Sequence, residues 1–431
     1  MDFLFNISPF IKLLAIFILI IVFIKQRLSL GTALTAGSIL LGLWFNLPLL
    51  QIGVSVFRSL VAYRTVTLCV VVALILVLSH SMEKTGQMKR LLASFKGISQ
   101  NLRLNLALFP ALIGLLPMPG GAIFSAPIVN EIGTQESLLA EQKTLINYWF
   151  RHIWEFCWPL YPGVILTCAL SGIDLWTFVI VQFPLTLFTA GAGYLMYLRS
   201  IPPPKQGPTG YHKQSLKRFF TELMPILLVV GGSVFFGAMI YLASKAWPLL
   251  GSLPKESSLI MALVVSISWV WWQNKVSLAD VRRILLNRSL LSMIYMVAGI
   301  MVFQGILKDS QAISEISHSL TSAHVPIVLV IMMLPFLVGS ITGITVAFVG
   351  TTFPIIFSLL SGANISQILP YTILAFCSGY VGVLFSPLHI CLVITCDYFR
   401  VDLPRIYRKL WPPCAAVATA GVLSFWINQV M

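Results

Sequence analysis

Residues 115–132 read "LLPMPGGAIFSAPIVNEI". The segment is apolar enough for a bilayer, yet it carries Pro117, Pro119, Pro127 and the pair Gly120-Gly121. Proline cannot continue a helix, and glycine permits a sharp turn. Irregular backbone is tolerated at membrane depth only where protein or a water-filled cavity covers it. What the break is for depends on the sequence around it.

The 431 residues are 58% hydrophobic and 10% charged, with a mean hydropathy of +0.91. A soluble domain carries roughly a quarter charged residues, so the composition predicts an all-α polytopic membrane protein. A helical crossing needs about 20 apolar residues. Ten segments read as crossings, near 10–25, 30–47, 64–82, 146–171, 175–198, 219–244, 255–273, 290–307, 369–395 and 411–430. Two further stretches, 104–130 and 325–360, are apolar but interrupted. The N-terminal run reads as a retained first span, because Lys25 and Arg27 follow it and no small-residue cleavage site does. The net charge of +14 lies in short loops, where it orients a membrane protein. No basic stripe with interleaved aromatics points to nucleic acid. The seven cysteines lie in or beside apolar runs without C-x-x-C spacing, which predicts free thiols and neither a disulfide frame nor a zinc site.

Charge fixes the sidedness. Four loops are basic: 82–103, 199–218, the loop holding Lys275, Arg282, Arg283 and Arg288, and the loop holding Arg400, Arg405, Arg408 and Lys409. All four are assigned to the cytoplasm. The stretch 104–130 must then start and end on that side. Its 27 residues cannot make two crossings, which need about 40. They can make a re-entrant hairpin with "PMPGG" as its tip. An ordinary kinked span conflicts with two basic loops at once.

The pattern recurs. "FPALIG" (109–114) resembles "LPFLVG" (334–339), and "WPLYPGVILTCALSGIDL" (158–175) aligns without gaps on "SPLHICLVITCDYFRVDL" (386–403). The reading is two inverted-topology repeats, 1–200 and 219–431, each of about five transmembrane helices plus one re-entrant hairpin. A cytoplasmic linker, 201–218, joins them. Each repeat also has an unwound helix, near 159 and near 387. Five crossings is an odd number, so the second half is expected upside down, its hairpin "GSITGITVAFVGTTFPII" (339–356) entering from outside, with both termini outside. Inverted repeats with broken helices are the mark of a secondary transporter.

"LPMPGGAIFSAPIV" and "SPLHICLVIT" together resemble a family of integral membrane proteins called "domain of unknown function 401". That family is placed in the ion transporter superfamily, beside gluconate, dicarboxylate and citrate carriers and arsenite pumps. The resemblance implies a scaffold, a moving transport unit that holds both hairpins and both unwound helices, and a homodimer in the cell inner (cytoplasmic) membrane. It implies sodium- or proton-coupled movement of a small anion, with Pro119, Gly120, Gly121, Thr342 and Gly343 facing Pro159, Ser386 and Pro387. The Ser-Asn-Thr tip signatures of sodium–dicarboxylate carriers are absent here.

A helix that ends in mid-membrane aims bare N–H groups and a positive dipole end at its neighbour. The tips are therefore candidates to bind an anion, or Na+, through backbone and the hydroxyls of Ser125, Thr342, Thr345, Thr351 and Thr352. The bland alternative is that these small residues only allow close helix packing. Intramembrane ionisable residues are functional candidates. "RHIWEFCWP" places Arg151, His152 and Glu155 just before Pro159, suited to ion coupling, to binding an anion, or to a structural ion pair. Ser386 and His389 mark the second break, with Tyr161 as the counterpart of His389. Two stretches, "GTQESLLAEQKTLI" (133–146) and "SLADVRRILLNRSL" (277–290), read as short interfacial amphipathic segments.

The leading expectation is a secondary carrier for a small organic anion, working by alternating access. A cation/proton antiporter and an uncoupled channel stay open as alternatives. An enzyme is not expected: H-E-x-x-H, G-x-S-x-G and the phosphate-binding loop are all missing from the sequence. No cofactor is expected beyond a coupling ion.

Overall fold

The computed structural model describes residues 8–26, 28–96, 101–118, 120–201, 213–312, 315, 326–360 and 362–430. Pro119 and most of the linker (202–212) lie outside the described residues. Among those described, every regular element is helical. Six helices are long and apolar enough to cross a membrane: Tyr63–Lys84, Leu175–Leu198, Leu216–Ala246, Leu278–Asp309, Ile365–Leu384 and Leu403–Gln429. The protein is an all-α, multi-pass membrane protein.

The first half holds α1 (Pro9–Lys25), α2 (Leu30–Trp44), α3 (Leu49–Val61), α4 (Tyr63–Lys84) and α5 (Gln87–Lys96). Then come α6 (Leu102–Gly114), α7 (Ala122–Gln135), α8 (Ala140–Arg151), α9 (Pro162–Ser171) and α10 (Leu175–Gly193). The second half holds α11 (Lys213–Ala246), α12 (Ser257–Gln273), α13 (Leu278–Leu285) and α14 (Arg288–Asp309). It continues with α15 (Ile327–Thr342), α16 (Thr345–Leu359), α17 (Ile365–Leu384), α18 (Ile390–Phe399) and α19 (Leu403–Val430).

Both interrupted stretches are helical hairpins. The arms α6 and α7 pack on each other, as do α15 and α16. Their 13 to 16 residues give arms of about 20–24 Å at 1.5 Å per residue. That is short of a hydrocarbon layer about 30 Å thick. Gly120 turns the first tip at φ 69° and Gly343 the second at φ 66°, a region that costs other residues about 1–2 kcal/mol. Two of the spans read from the sequence, 146–171 and 369–395, are broken helices. The first runs α8, a 3-10 turn over Ile153–Phe156, then α9; the second runs α17, a turn at 385–389, then α18. Hairpin followed by broken helix thus occurs twice in the same order.

The helices sort by what they pack against. One group is α1–α5 with α11–α14; α2, α3 and α4 pack on α14, and α4 and α11 on α12. The other is α6–α10 with α15–α19; α15 packs on α17, α17 on α19, and α18 on α7 and α8. The groups meet chiefly where α14 lies on α16 and α9 on α4. Each group draws on both halves of the sequence.

The structure departs from the sequence reading in three places. The stretch 49–61 is a helix, α3, that the span count leaves out. Its exposed face carries Leu49, Leu50 and Phe57, and its 13 residues are too few to register as a crossing. "GTQESLLAEQKTLI" is not one interfacial helix. α7 ends inside it, α8 begins inside it, and Thr144 to Arg151 are all buried. The charge of Lys143 is drawn back to Asn130 Oδ1 (2.8 Å) and Thr134 Oγ1 (3.1 Å), which lets α8 enter the core. Finally α1, α2 and α12, of 17, 15 and 17 residues, are shorter than a full crossing. The second stretch holds the short helix α13, where Ser277 Oγ accepts from the Asp280 N–H (3.1 Å), and the start of α14.

Candidate functional site

The two helix breaks face each other between the two hairpin tips. A helix end leaves carbonyls without partners, and here side chains from the other elements supply the donors. Tyr148, on α8, donates to the carbonyl of Leu384, the last residue of α17 (2.8 Å). Tyr380, on α17, donates to the carbonyl of His152, just past α8 (2.6 Å). The end of the first hairpin arm is served by the first break: Trp154 Nε1 donates to Ala111 O (3.0 Å), Trp158 Nε1 to Leu115 O (2.9 Å) and Tyr161 Oη to Gly114 O (2.6 Å). Asn147 Nδ2 reaches Ala122 O at the start of the second arm (3.2 Å).

The charged groups are held at this junction. Arg151 is 2% exposed. Its Nη2 donates to Met118 O in the first tip (2.6 Å), and its Nη1 lies 4.0 Å from Glu155 Oε1. Glu155 accepts from Thr345 Oγ1 at the start of α16 (3.1 Å). His152 Nδ1 donates to Tyr148 O (2.5 Å), and His389 Nδ1 to Gly343 O in the second tip (3.0 Å). The two Nε2 atoms meet at 3.0 Å. Cys391 Sγ and one nitrogen of each imidazole lie within 4.8 Å of one another. Donors around a tetrahedral zinc stand about 3.3 Å apart or more, so the imidazole contact has hydrogen-bond rather than metal-site spacing.

These groups border a cavity of about 430 Å³. Its wall takes in both tips (Met118, Gly120, Gly343), both breaks (His152, Glu155, His389) and a face of α14 at Ser289, Ser292, Met293 and Met296. The first residues of α2, α9, α16 and α18 also line it. Each of these helix ends carries a partial positive charge. Glycine is required at two points. A Cβ on Gly121 would stand 2.6 Å from Arg151 Nη2, and one on Gly343 2.8 Å from the His389 backbone nitrogen. A larger cavity, about 1000 Å³, lies elsewhere against α10, α11 and the start of α12. It touches neither hairpin tip nor either break.

A family model described as "Protein of unknown function (DUF401)" matches residues 6–428. The chain belongs to the DUF401 family. No curated protein matches it. Among solved structures, this DUF401 protein is similar to the Alcanivorax borkumensis YdaH transporter, whose crystal structure was described as having an unusual topology. The TM-score is 0.59 at 13% identity, over 87% of this chain and 88% of that one. The likeness is one of fold.

In the DUF401 chain, the structure gathers Gly120, Arg151, His152, Glu155, Tyr161, Gly343, Thr345 and His389 around the cavity. Gly121 lies beside it, against Arg151. Four candidate hydroxyls turn back on their own helices instead: Ser125 to Ala122 O, Thr342 to Val338 O, Thr351 to Ala347 O and Thr352 to Phe348 O. Ser386 Oγ accepts from the Leu388 N–H (3.2 Å) and caps the turn. Pro119 lies outside the described residues. Sequence reasoning missed Cys391, Asn147, Tyr148, Tyr380 and the wall of α14. One signal was present. The register that pairs Tyr161 with His389 also pairs His152 with Tyr380, 228 residues on.

Proposed function

We propose that this protein is a secondary carrier that moves a small organic anion across the cytoplasmic membrane, coupled to Na+ or H+, by alternating access. The observation that carries this reading is the 430 Å³ cavity between two hairpin tips and two helix breaks, with Arg151 buried at its edge. Carriers place substrate where discontinuous helices meet near mid-membrane. Arginine binds carboxylates bidentately. Among the described residues Arg151 Nε, lying against Gly121, has no hydrogen-bond partner, and the guanidinium borders a cavity lined by the first residues of α2, α9, α14, α16 and α18.

The reading extends to the architecture. Repeats 1–200 and 219–431 are taken as inverted, with both chain termini outside. α1–α5 and α11–α14 form the scaffold, and the second group moves. The cavity reaches the first residues of α2 and α14, the end that carries Arg282, Arg283 and Arg288. By the positive-inside rule that side is cytoplasmic, so the state described faces inward.

A cation/proton antiporter is the second reading, favoured by the buried carboxylate of Glu155 and its bond from Thr345. One screen separates the two. Purified protein is melted with gluconate, succinate, benzoate and small sulfonates, with and without sodium, from pH 5 to 8. A ligand that binds only the native state raises the melting temperature by mass action, by about 2.7 kcal/mol of stability at 100 times its Kd. Stabilisation by an anion, greater with sodium or at low pH, supports the carrier. Stabilisation by sodium or pH with every anion silent overturns it in favour of the antiporter.

A further inference from the structure

We propose that His152 and His389 hold a single proton between their Nε2 atoms, and that this proton locks the two helix breaks together. A carbonyl oxygen can only accept, so the contacts of His152 Nδ1 with Tyr148 O and of His389 Nδ1 with Gly343 O place a hydrogen on each Nδ1. A neutral imidazole has one N–H. If both rings were neutral, two lone pairs would face each other across 3.0 Å, and Arg151 Nη1, 3.4 Å from His152 Nε2, would donate to only one of them. One further proton removes the conflict: one ring becomes an imidazolium and donates to the other. Two rings on elements 237 residues apart in sequence are then bound by one charge-assisted hydrogen bond.

The surroundings suit such a proton. The titratable or charged groups facing the pair are Arg151, Glu155, Tyr148, Tyr161, Tyr380 and Cys391. Arg151 Nη1 is 3.4 Å and Glu155 Oε1 3.9 Å from His152 Nε2. The Tyr148 ring lies 4.7 Å from one imidazole and 5.5 Å from the other. Tyr161 and Tyr380 spend their hydroxyl hydrogens on Gly114 O and His152 O, and Cys391 lies within 4.8 Å of both imidazoles. Arg151 and Glu155 offset each other, so the proton leaves the cavity with one net positive charge, the complement of a monoanion. Without it the lone pairs repel. His389 then separates from His152, carrying with it the contact to the Gly343 tip. The proton enters from one aqueous face and leaves to the other, with no other bond made or broken. That it is the coupling ion rests on the carrier reading above; its presence between the rings rests on geometry alone.

The test is solid-state NMR on the full chain, labelled with 15N-histidine and reconstituted in liposomes, from pH 4.5 to 8. The chain has six histidines, few enough to resolve. The expected result at low pH is one doubly protonated ring whose Nε2 lies next to the bare Nε2 of a second ring. That signature disappears as the pH rises and is absent from H152N and H389N. The ring-to-ring proximity can also be read on the unmodified protein, should either variant fail to fold. Two neutral rings at every pH, or a signature retained in H389N, overturns the proposal. No substrate is needed for the measurement. A shared proton found in a protein that no anion stabilises would leave the proton site standing and the carrier reading without support.

Discussion

At the scale of the residue, Arg151 and Gly121 work as a unit. The guanidinium lies against the first hairpin tip because Gly121 has no side chain: a Cβ there would stand 2.6 Å from Nη2. Gly121→Leu is therefore expected to displace Arg151 and abolish stabilisation by any anion, while circular dichroism still reports a helical protein. Arg151→Gln removes the charge. A hydrogen bond to a charged group contributes about 1.5–3 kcal/mol, so anion affinity should fall roughly 10- to 100-fold, measured as the ligand concentration needed for half-maximal stabilisation. Wild-type affinity in either variant would remove Arg151 from the site. Arg151, His152, Glu155 and His389 were legible in the sequence because ionisable groups in apolar runs stand out. Tyr148, Tyr380 and Asn147 were not. A tyrosine beside a tryptophan in "NYWFR" looks like ordinary core until the opposite helix end is seen to need a donor. The hydroxyls of Thr351 and Thr352 misled for the opposite reason, since a threonine inside a helix can satisfy itself on the carbonyl one turn back.

At the scale of the element, the helix ends are set by local chemistry and joined by a few long-range contacts. Asp174 accepts from the N–H groups of Trp176 (3.0 Å) and Thr177 (3.1 Å) and starts α10. Losing such a cap costs about 1 kcal/mol, so Asp174→Ala should lower the melting temperature without altering ligand binding. An unchanged melting temperature would count against the cap. The start of α8 is tied to α19 by Glu141 with Lys409 (2.5 Å) and Arg405 (3.9 Å). The hydrogen bond from Lys409, aided by the charges of Lys409 and Arg405, holds the Glu141 carboxyl below its ordinary range. A lowered carboxyl stabilises the fold above its unfolded pKa, about 4.3. The effect is lost as pH falls through the folded value. Wild type should thus melt slightly above Glu141→Gln at pH 7, and the two should converge below pH 4. A gap that persists in acid would contradict the ion pair's role. The gap will be small, because the pair is partly exposed and screened. Hairpins and breaks were legible because proline and glycine punctuate them. α3 was not, because an amphipathic helix of 13 residues between two apolar spans has no punctuation that a search for 20-residue crossings detects.

At the scale of the whole molecule, the two groups of helices interleave the halves of the sequence, and the cavity lies where the groups meet. Charge and repeat pattern made the hairpins and the breaks predictable. That α14 would wall the cavity was not, because it presents serines and methionines that carry no distinctive signal. Alternating access requires that the cavity be reached from each side of the membrane in turn. Cys391 lines it and is 5% exposed. The most direct measurement leaves Cys391 as the single cysteine and places the protein in one orientation in sealed vesicles. A membrane-impermeant anionic methanethiosulfonate is then added from either side, with and without the anion found by thermal stabilisation. Alternating access predicts labelling from both sides, with the bound anion shifting the balance between them. It also predicts that reagent on one side slows as reagent on the other gains. Labelling from one side only, or equally fast from both sides whatever the ligand, would contradict alternating access.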